Sequence, residues 1–308
     1  MSALWQEWLL SPVALGVLGL AVGSFLNVVV HRLPQMMARQ WWGEVAGQLQ
    51  DEASHREVFD QALPADATAT GRSLETALHA LPRLNLAVPR SRCPACGHAL
   101  SWSENVPLLG WLRLRGRCAA CGARIPVRYP AIEALTALLF AAIGWRVGPQ
   151  PAALMWCGVA AVLVALSAID WDTTLLPDSL TQPLTWAGLV AAVAGWSGLA
   201  PEAALIGAVS GYLALWSVHW LFFFATRKEG MGHGDFKLLA ALGAWLGWQA
   251  ILPIVLMASV IGALVGLGMK MAGQLREGRY VPFGPFLAGG GLVVMLAGTG
   301  QVLTHLGW

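Results

Sequence analysis

Apolar residues fall in long blocks broken by short polar stretches, and the blocks have the length of helices that cross lipid. A helix needs about 20 apolar residues to traverse a bilayer core. Segments near 9–30, 131–147, 152–170, 180–197, 202–225, 236–250, 251–270 and 284–305 fit that pattern. Pro253 lies close to the boundary between the sixth and seventh of them. The pattern therefore predicts an all-α polytopic membrane protein with about eight transmembrane helices. Most of the blocks are rich in Gly, Ala and Leu. Small residues let helix backbones approach closely in lipid, where packing rather than water exclusion drives association. One long polar stretch, residues 31–130, interrupts the series. The chain thus divides into a first membrane helix at 1–30, an inserted domain at 31–130 and a membrane bundle at 131–308.

Composition agrees with this reading. Of 308 residues, 56% are hydrophobic and 12% charged, with mean hydropathy +0.60, whereas soluble domains carry about 25% charged residues. A net charge of +2 is too small to suggest nucleic acid as a partner. No Lys or Arg precedes Arg32, so the first block lacks the basic start of a cleavable signal and reads as a retained span. Twelve of the 19 Lys and Arg lie between Arg32 and Arg128. Basic loops face the cytoplasm, which puts residues 31–130 there. With eight spans, alternation brings the loops near 171–179, 226–235 and 271–283 to the same side. Arg227, Lys228, Lys237, Lys270, Arg276 and Arg279 then join the first twelve, and Arg146 is the exception.

Within the polar stretch, residues 36–89 carry short helical patterns without a strong core signal. Helices laid on the membrane or the bundle, joined by flexible connections, are expected; Met36, Met37, Trp41 and Trp42 read either as an interfacial apolar face or as incidental aromatics of a mobile loop. After it come Cys93-Pro-Ala-Cys96-Gly97 and Cys118-Ala-Ala-Cys121-Gly122. Two such knuckles can bring four thiolates to one tetrahedral ion. The glycine after each pair permits the tight turn that a knuckle needs. Disulfides are disfavoured in the cytoplasm, so a structural zinc ion is expected on Cys93, Cys96, Cys118 and Cys121. Cys157, alone in an apolar block, reads as a small buried residue.

Charges at membrane depth are costly and ask for a reason. Asp170, Asp172 and Asp178 cluster in SAIDWDTTLLPDSL, and Asp235 stands in GMGHGDFKLL. The predicted topology brings both stretches to the cytoplasmic membrane face although they are distant in sequence. Two carboxylates in a shared, partly desolvated site hold one proton between them. The ionised member can then take a proton from water while the protonated member polarises a peptide carbonyl. Asp170, within the end of its span, and Asp235, at a helix start where free N–H groups favour negative charge, are the catalytic candidates. Gly230, Gly232 and Gly234 permit close approach of a substrate strand, and Lys237 can pair with a carboxylate or a lipid phosphate. Asp172 and Asp178 also read as ordinary loop acids. Glu133 is expected to pair with Arg128 or Arg124, His31 and Arg32 to sit at the interface, and His219 to serve packing.

Together these blocks resemble the bacterial type IV prepilin peptidases. The resemblance rests on GSFLNVVVHRLP at 23–34, the paired knuckles, SENVPLLGWLRLRGRC at 103–118, IDWDTTLLPD at 169–178 and KEGMGHGDFKLLAALGAWLGWQ at 228–249. It covers most of the chain except about 40–89. It implies an aspartic endopeptidase of the bacterial inner membrane, with its active site at the cytoplasmic face. Such an enzyme removes a short basic leader after a glycine from prepilins or type II secretion pseudopilins. The family's aspartates fall on Asp170 and Asp235; Gly234 and Lys237 are the supporting candidates read from the residues beside them. His233 stands where a tyrosine is expected in this subgroup. The resemblance also implies methylation of the new N-terminal residue by S-adenosylmethionine. No GxGxxG loop follows a strand here, so no methyl-donor residues are named. An ion- or proton-coupled transporter is the competing class, because intramembrane acids also build proton relays. A membrane-anchored zinc-binding adaptor is a third.

Overall fold

The computed structural model describes residues 2–228, 230–273 and 281–305; Arg276 and Arg279 of the predicted basic loop lie outside the described residues. The described residues form helices and connections, with isolated β-bridges only at the two cysteine knuckles. A short helix α1 (Ser2–Leu9) leads into α2 (Pro12–Gln48). Ser11 caps α2, its Oγ accepting from the Ala14 N–H, and Pro12 opens it, where a missing N–H costs nothing. The helix does not stop near residue 30. Its 37 residues span about 55 Å at 1.5 Å per residue, so the apolar half crosses the membrane and the polar half projects beyond it.

That continuation replaces the expected break between first span and inserted segment. Trp41 and Trp42 stack edge to face on it, both exposed. The small helices α3 (Glu52–Phe59) and α4 (Ala65–Ala80) follow, and α4 packs back on the α2 extension with Gly71 against Ala46. Arg32 has a specific task here. It is buried, and its guanidinium donates to the carbonyls of Asn85, Leu86 and Pro89 at 2.9, 3.3 and 2.6 Å. A buried charge needs such partners, and through them it fastens the segment before the knuckles to α2.

The knuckle region contains α5 (Leu109–Arg113) and ends at α6 (Arg128–Val147). Glu133 in α6 is buried and accepts the Leu108 N–H at 2.8 Å. The expected pairing of Glu133 with Arg128 or Arg124 is not what forms. A lone main-chain donor reaches it because Leu108 turns its backbone into the helix face at φ +56.

The remaining helices are α7 (Ala152–Thr173), α8 (Asp178–Val193), α9 (Pro201–Thr226), α10 (His233–Leu246), α11 (Ile251–Met271, after a 3-10 turn at Trp248–Ala250), α12 (Gly284–Ala297) and α13 (Thr299–His305). Each of the eight apolar blocks read from the sequence contains a helix. Five stretches are long and apolar enough to cross a membrane: α2, α6, α7, α9 and Trp248–Met271. Counting α12 with α13, bent by 103°, as one broken span gives six. The protein is therefore all-α and largely membrane-embedded.

Two helix pairs meet backbone to backbone. On α2, a Cβ at Gly19 or Gly23 would lie 2.7 Å from the Cα of Ala137 or Glu133 in α6. On α9, a Cβ at Gly207 would lie 2.2 Å from the Gly243 carbonyl oxygen of α10. Such contacts exclude any side chain, which is how small residues hold helices together in lipid. Helix α10 is the central one: Phe236, Leu238, Leu239, Ala241, Leu242 and Ala244 are essentially inaccessible. It is wrapped by α8, α9 and α12, while α7 joins this core to the second one formed with α2 and α6.

Candidate active site and metal centre

Asp170 lies in the last turn of α7. The helix ends because Thr174 turns left-handed at φ +53, its N–H donating to the Asp170 carbonyl at 2.8 Å. Asp235 lies in the first turn of α10, whose N-cap is Gly232 in extended conformation. Both aspartates are buried, at 4% and 8% exposure, although soluble and membrane proteins alike avoid burying lone carboxylates. Both border Leu176, in the connection after α7: Leu176 lies against Gly234, next to Asp235, and against Gly284, which also touches Asp170 Oδ2.

A third helix end completes the site. The Gly284 N–H, at the start of α12, donates to Asp170 Oδ2 at 3.0 Å. Helix N-termini carry partial positive charge, so the α10 and α12 termini together favour negative charge between them. Leu176, in the connection after α7, is the wedge. It lies 2.8 Å from where a Gly234 Cβ would be and 3.1 Å from where a Gly284 Cβ would be. Gly234 is thus needed for close packing beside Asp235.

The other acids have ordinary partners. Asp172 pairs with Arg128 at the start of α6, and Asp178 receives both of its carboxylate bonds from Lys237 at 2.7 and 2.8 Å. Lys237 therefore ties α10 to α8 rather than entering the carboxylate pair. Gly284 and Leu176 were not singled out from sequence. The Gly284-Pro285 step is a helix-start signal, but it says nothing of what the free N–H faces.

The four knuckle cysteines converge. Their Sγ atoms all lie within 4.8 Å of one another, with Cys93–Cys121 and Cys96–Cys118 at 3.9 Å. Ligands about 2.3 Å from a tetrahedral zinc are separated by roughly 3.8 Å, so the donor set and spacing fit that ion. The knuckles are copies of one turn. In the first, the Cys93 N–H donates to the His98 carbonyl and Gly97 takes φ +72; in the second, Cys118 donates to Ala123 and Gly122 takes φ +69. The backbone N–H groups of Cys96 and Ala95 lower the Cys93 thiol to about 7, and those of Cys121 and Ala120 lower Cys118. At Cys96 the His98 N–H favours the thiolate, but the Cys121 thiol and burial outweigh it and push the group to about 12. Four crowded thiols thus share negative charge that a cation would stabilise. Beside them, the Ser101 N–H and then its hydroxyl hold the Glu104 carboxyl below its usual range, bracing the link between the knuckles.

An embedded helical bundle with five or six long apolar spans and two buried aspartates at helix ends defines a polytopic α-helical membrane protein. Comparison with known proteins gives the family. Residues 17–147 match the Bacterial Peptidase A24 N-terminal domain, and residues 157–267 match the Type IV leader peptidase family. The chain is 50% identical over 284 residues to a Prepilin leader peptidase/N-methyltransferase of Burkholderia pseudomallei (strain 1026b), covering 92% of this chain and 84% of that one. It is 46% identical to proteins of the same name from Aeromonas hydrophila, covering 91% of this chain and 88% of the relative, and from Stutzerimonas stutzeri, covering 94% and 92%. The chain belongs to the bacterial type IV prepilin peptidase family. No solved structure matches it.

Proposed function

We propose that this protein is a membrane aspartic endopeptidase that removes leader peptides from type IV prepilins or type II secretion pseudopilins. Cleavage follows a glycine, and the enzyme then methylates the new N-terminal residue. The family and the names of its relatives support that substrate class, and they lend nothing to a transporter. The observation that carries the mechanism is the burial of Asp170 and Asp235 at helix ends that share Leu176 as a neighbour, with the α12 terminus bonded to Asp170.

In this mechanism the pair works with one shared proton. The ionised aspartate removes a proton from water as the oxygen adds to the scissile carbonyl carbon, and the protonated one donates to the carbonyl oxygen. Collapse of the tetrahedral intermediate breaks the C–N bond as one hydroxyl gives its proton to the ionised aspartate and re-forms the carbonyl, while the departing amine takes the proton of the other aspartate, so the pair again holds one proton. No covalent enzyme intermediate forms. The Gly284 N–H keeps Asp170 oriented, and Gly234 leaves room beside Asp235.

The finer topology belongs to the same reading. All eight apolar blocks cross or enter the inner membrane of a bacterium, with short α10 enclosed by its neighbours and α8 keeping an outward apolar face at Trp186, Val190 and Val193. The basic residues of 31–130 set that segment, and the aspartate site, at the cytoplasmic face. Residues 31–130 form a cytoplasmic domain around a structural zinc on Cys93, Cys96, Cys118 and Cys121, residues 1–30 the first span and 131–308 the peptidase bundle. Membrane lipid surrounds the bundle. Zinc supplies no open position for chemistry when four thiolates hold it; the cysteines link the knuckles into one unit. S-adenosylmethionine is the methyl donor of this reading. The described residues contain no strand-borne glycine loop, so they do not fit a Rossmann-type donor site and no step is routed through one.

The test is mass analysis of a leader-bearing precursor incubated with the purified protein, with and without methyl donor. The wild-type protein shortens the precursor after glycine, and Asp170→Asn or Asp235→Asn abolishes shortening with metal content unchanged. Normal processing by either variant would remove the mechanism.

A further inference from the structure

His219 is one of the few buried polar residues, 6% exposed on α9, and among the described residues its Nδ1 has no hydrogen-bond partner. A buried polar atom left unpaired is costly and asks for a partner. Its surroundings are rings: His233 at 5.2 Å between centroids, Phe236 at 5.5 Å and Trp220 at 5.9 Å. Phenylalanine has nothing to donate. His233 is exposed, is the first residue of α10 and stands two residues before Asp235.

Distance makes His233 the natural partner. With the two nitrogens facing each other, subtracting roughly 1.1 Å from centre to nitrogen at each ring leaves about 3 Å, which is hydrogen-bond length. The rings are tilted by 57°, and the exposed side of His233 leaves its ring room to turn.

Resting on the peptidase reading above, we infer that His219 is a positioning residue: its Nδ1 accepts from a His233 ring N–H, and this bond holds the first turn of α10 that carries Asp235. The platform is rigid, since α9 and α10 touch backbone to backbone at Gly207 and Gly243. The turn it holds needs such a tie. It follows Gly230 and Gly232 and contains Gly234; buried Phe236 anchors its inner side, and its polar ties include the Asp235 N–H on the Gly232 carbonyl at 3.2 Å and the Lys237–Asp178 pair one turn on. The bundle fixes the body of α10, and the histidine bond fixes its beginning.

Steady-state cleavage of one precursor by wild type, His219→Phe, His233→Phe, the double variant, His233→Tyr and Trp220→Phe tests this, with melting temperature measured for each. Either phenylalanine variant should lower kcat about tenfold, the scale of one hydrogen bond to a buried partner, while KM stays within about twofold. The double variant should be no worse than either single one, because both remove the same bond. His233→Tyr retains a ring-borne donor and should recover most of the loss, and Trp220→Phe should be neutral. His233 is exposed, so its variants report even where His219→Phe fails to fold. Full activity of His233→Phe, additive losses in the double variant, or a matching loss in Trp220→Phe would overturn the inference. If the wild type itself leaves the precursor intact, the peptidase reading falls first and this one with it.

Discussion

Gly284→Ala is a one-methyl change that should silence the site while leaving the bundle folded. A Cβ there would lie 2.6 Å from Asp170 Oδ2 and 3.1 Å from Leu176 Cδ1. An ordinary contact begins near 3.4 Å, so carboxylate and helix must separate by roughly 0.8 Å. Asp170 cannot retreat freely, because it is held in the last turn of α7 and its main-chain carbonyl already accepts from Thr174. Either Asp170 changes rotamer and loses the 3.0 Å bond from the Gly284 N–H, or α12 moves away from α7. A displacement near 1 Å at reacting groups costs about a hundredfold in rate. The expected stability loss is smaller, about 1–3 kcal/mol for overpacking. Gly289→Ala on the same helix is the control, since a Cβ there meets nothing within 4 Å. The assay is kcat for precursor cleavage in detergent, alongside melting temperature. Wild-type kcat in a folded Gly284→Ala protein would refute the geometry of the α12 terminus against Asp170.

Other consequences follow from the same contacts. Asp172→Asn should slow cleavage no more than a few-fold, because Asp172 is half-exposed and paired with Arg128, a geometry worth under about 1 kcal/mol; a loss larger than that of Asp170→Asn would exchange their roles. Gly207→Ala drives a methyl to 2.2 Å from a backbone oxygen that no rotamer can move and should destabilise by about 3 kcal/mol or more, read as a fall in melting temperature that Gly268→Ala, facing open space, does not share. One zinc per chain is expected on purification, and Cys118→Ser should lose it; full occupancy after removal of two thiols, one from each knuckle, would refute the four-thiolate site.

What the sequence decided by itself is the part written in local pattern. Runs of apolar residues near helical length must become helices in lipid, since no other backbone arrangement of a single segment satisfies its own hydrogen bonds there. All eight blocks accordingly contain helices. The knuckles were legible for a similar reason, because four thiols at close spacing with a glycine after each pair leave few other geometries. What folding alone decided is which distant groups meet. Nothing local to Glu133 indicated that it would take the Leu108 N–H in place of an arginine, and nothing in Gly284-Pro285 indicated that its free N–H would face Asp170. The helix beginning at Pro12 runs past the expected boundary, through Pro34, to Gln48 because residues 35–42 after that proline keep helical propensity where hydrophobicity ends. Hydropathy marks where lipid stops; it does not mark where a helix stops. The partners of a buried carboxylate are set by helix crossings, and those depend on glycines many residues away from the acid they position.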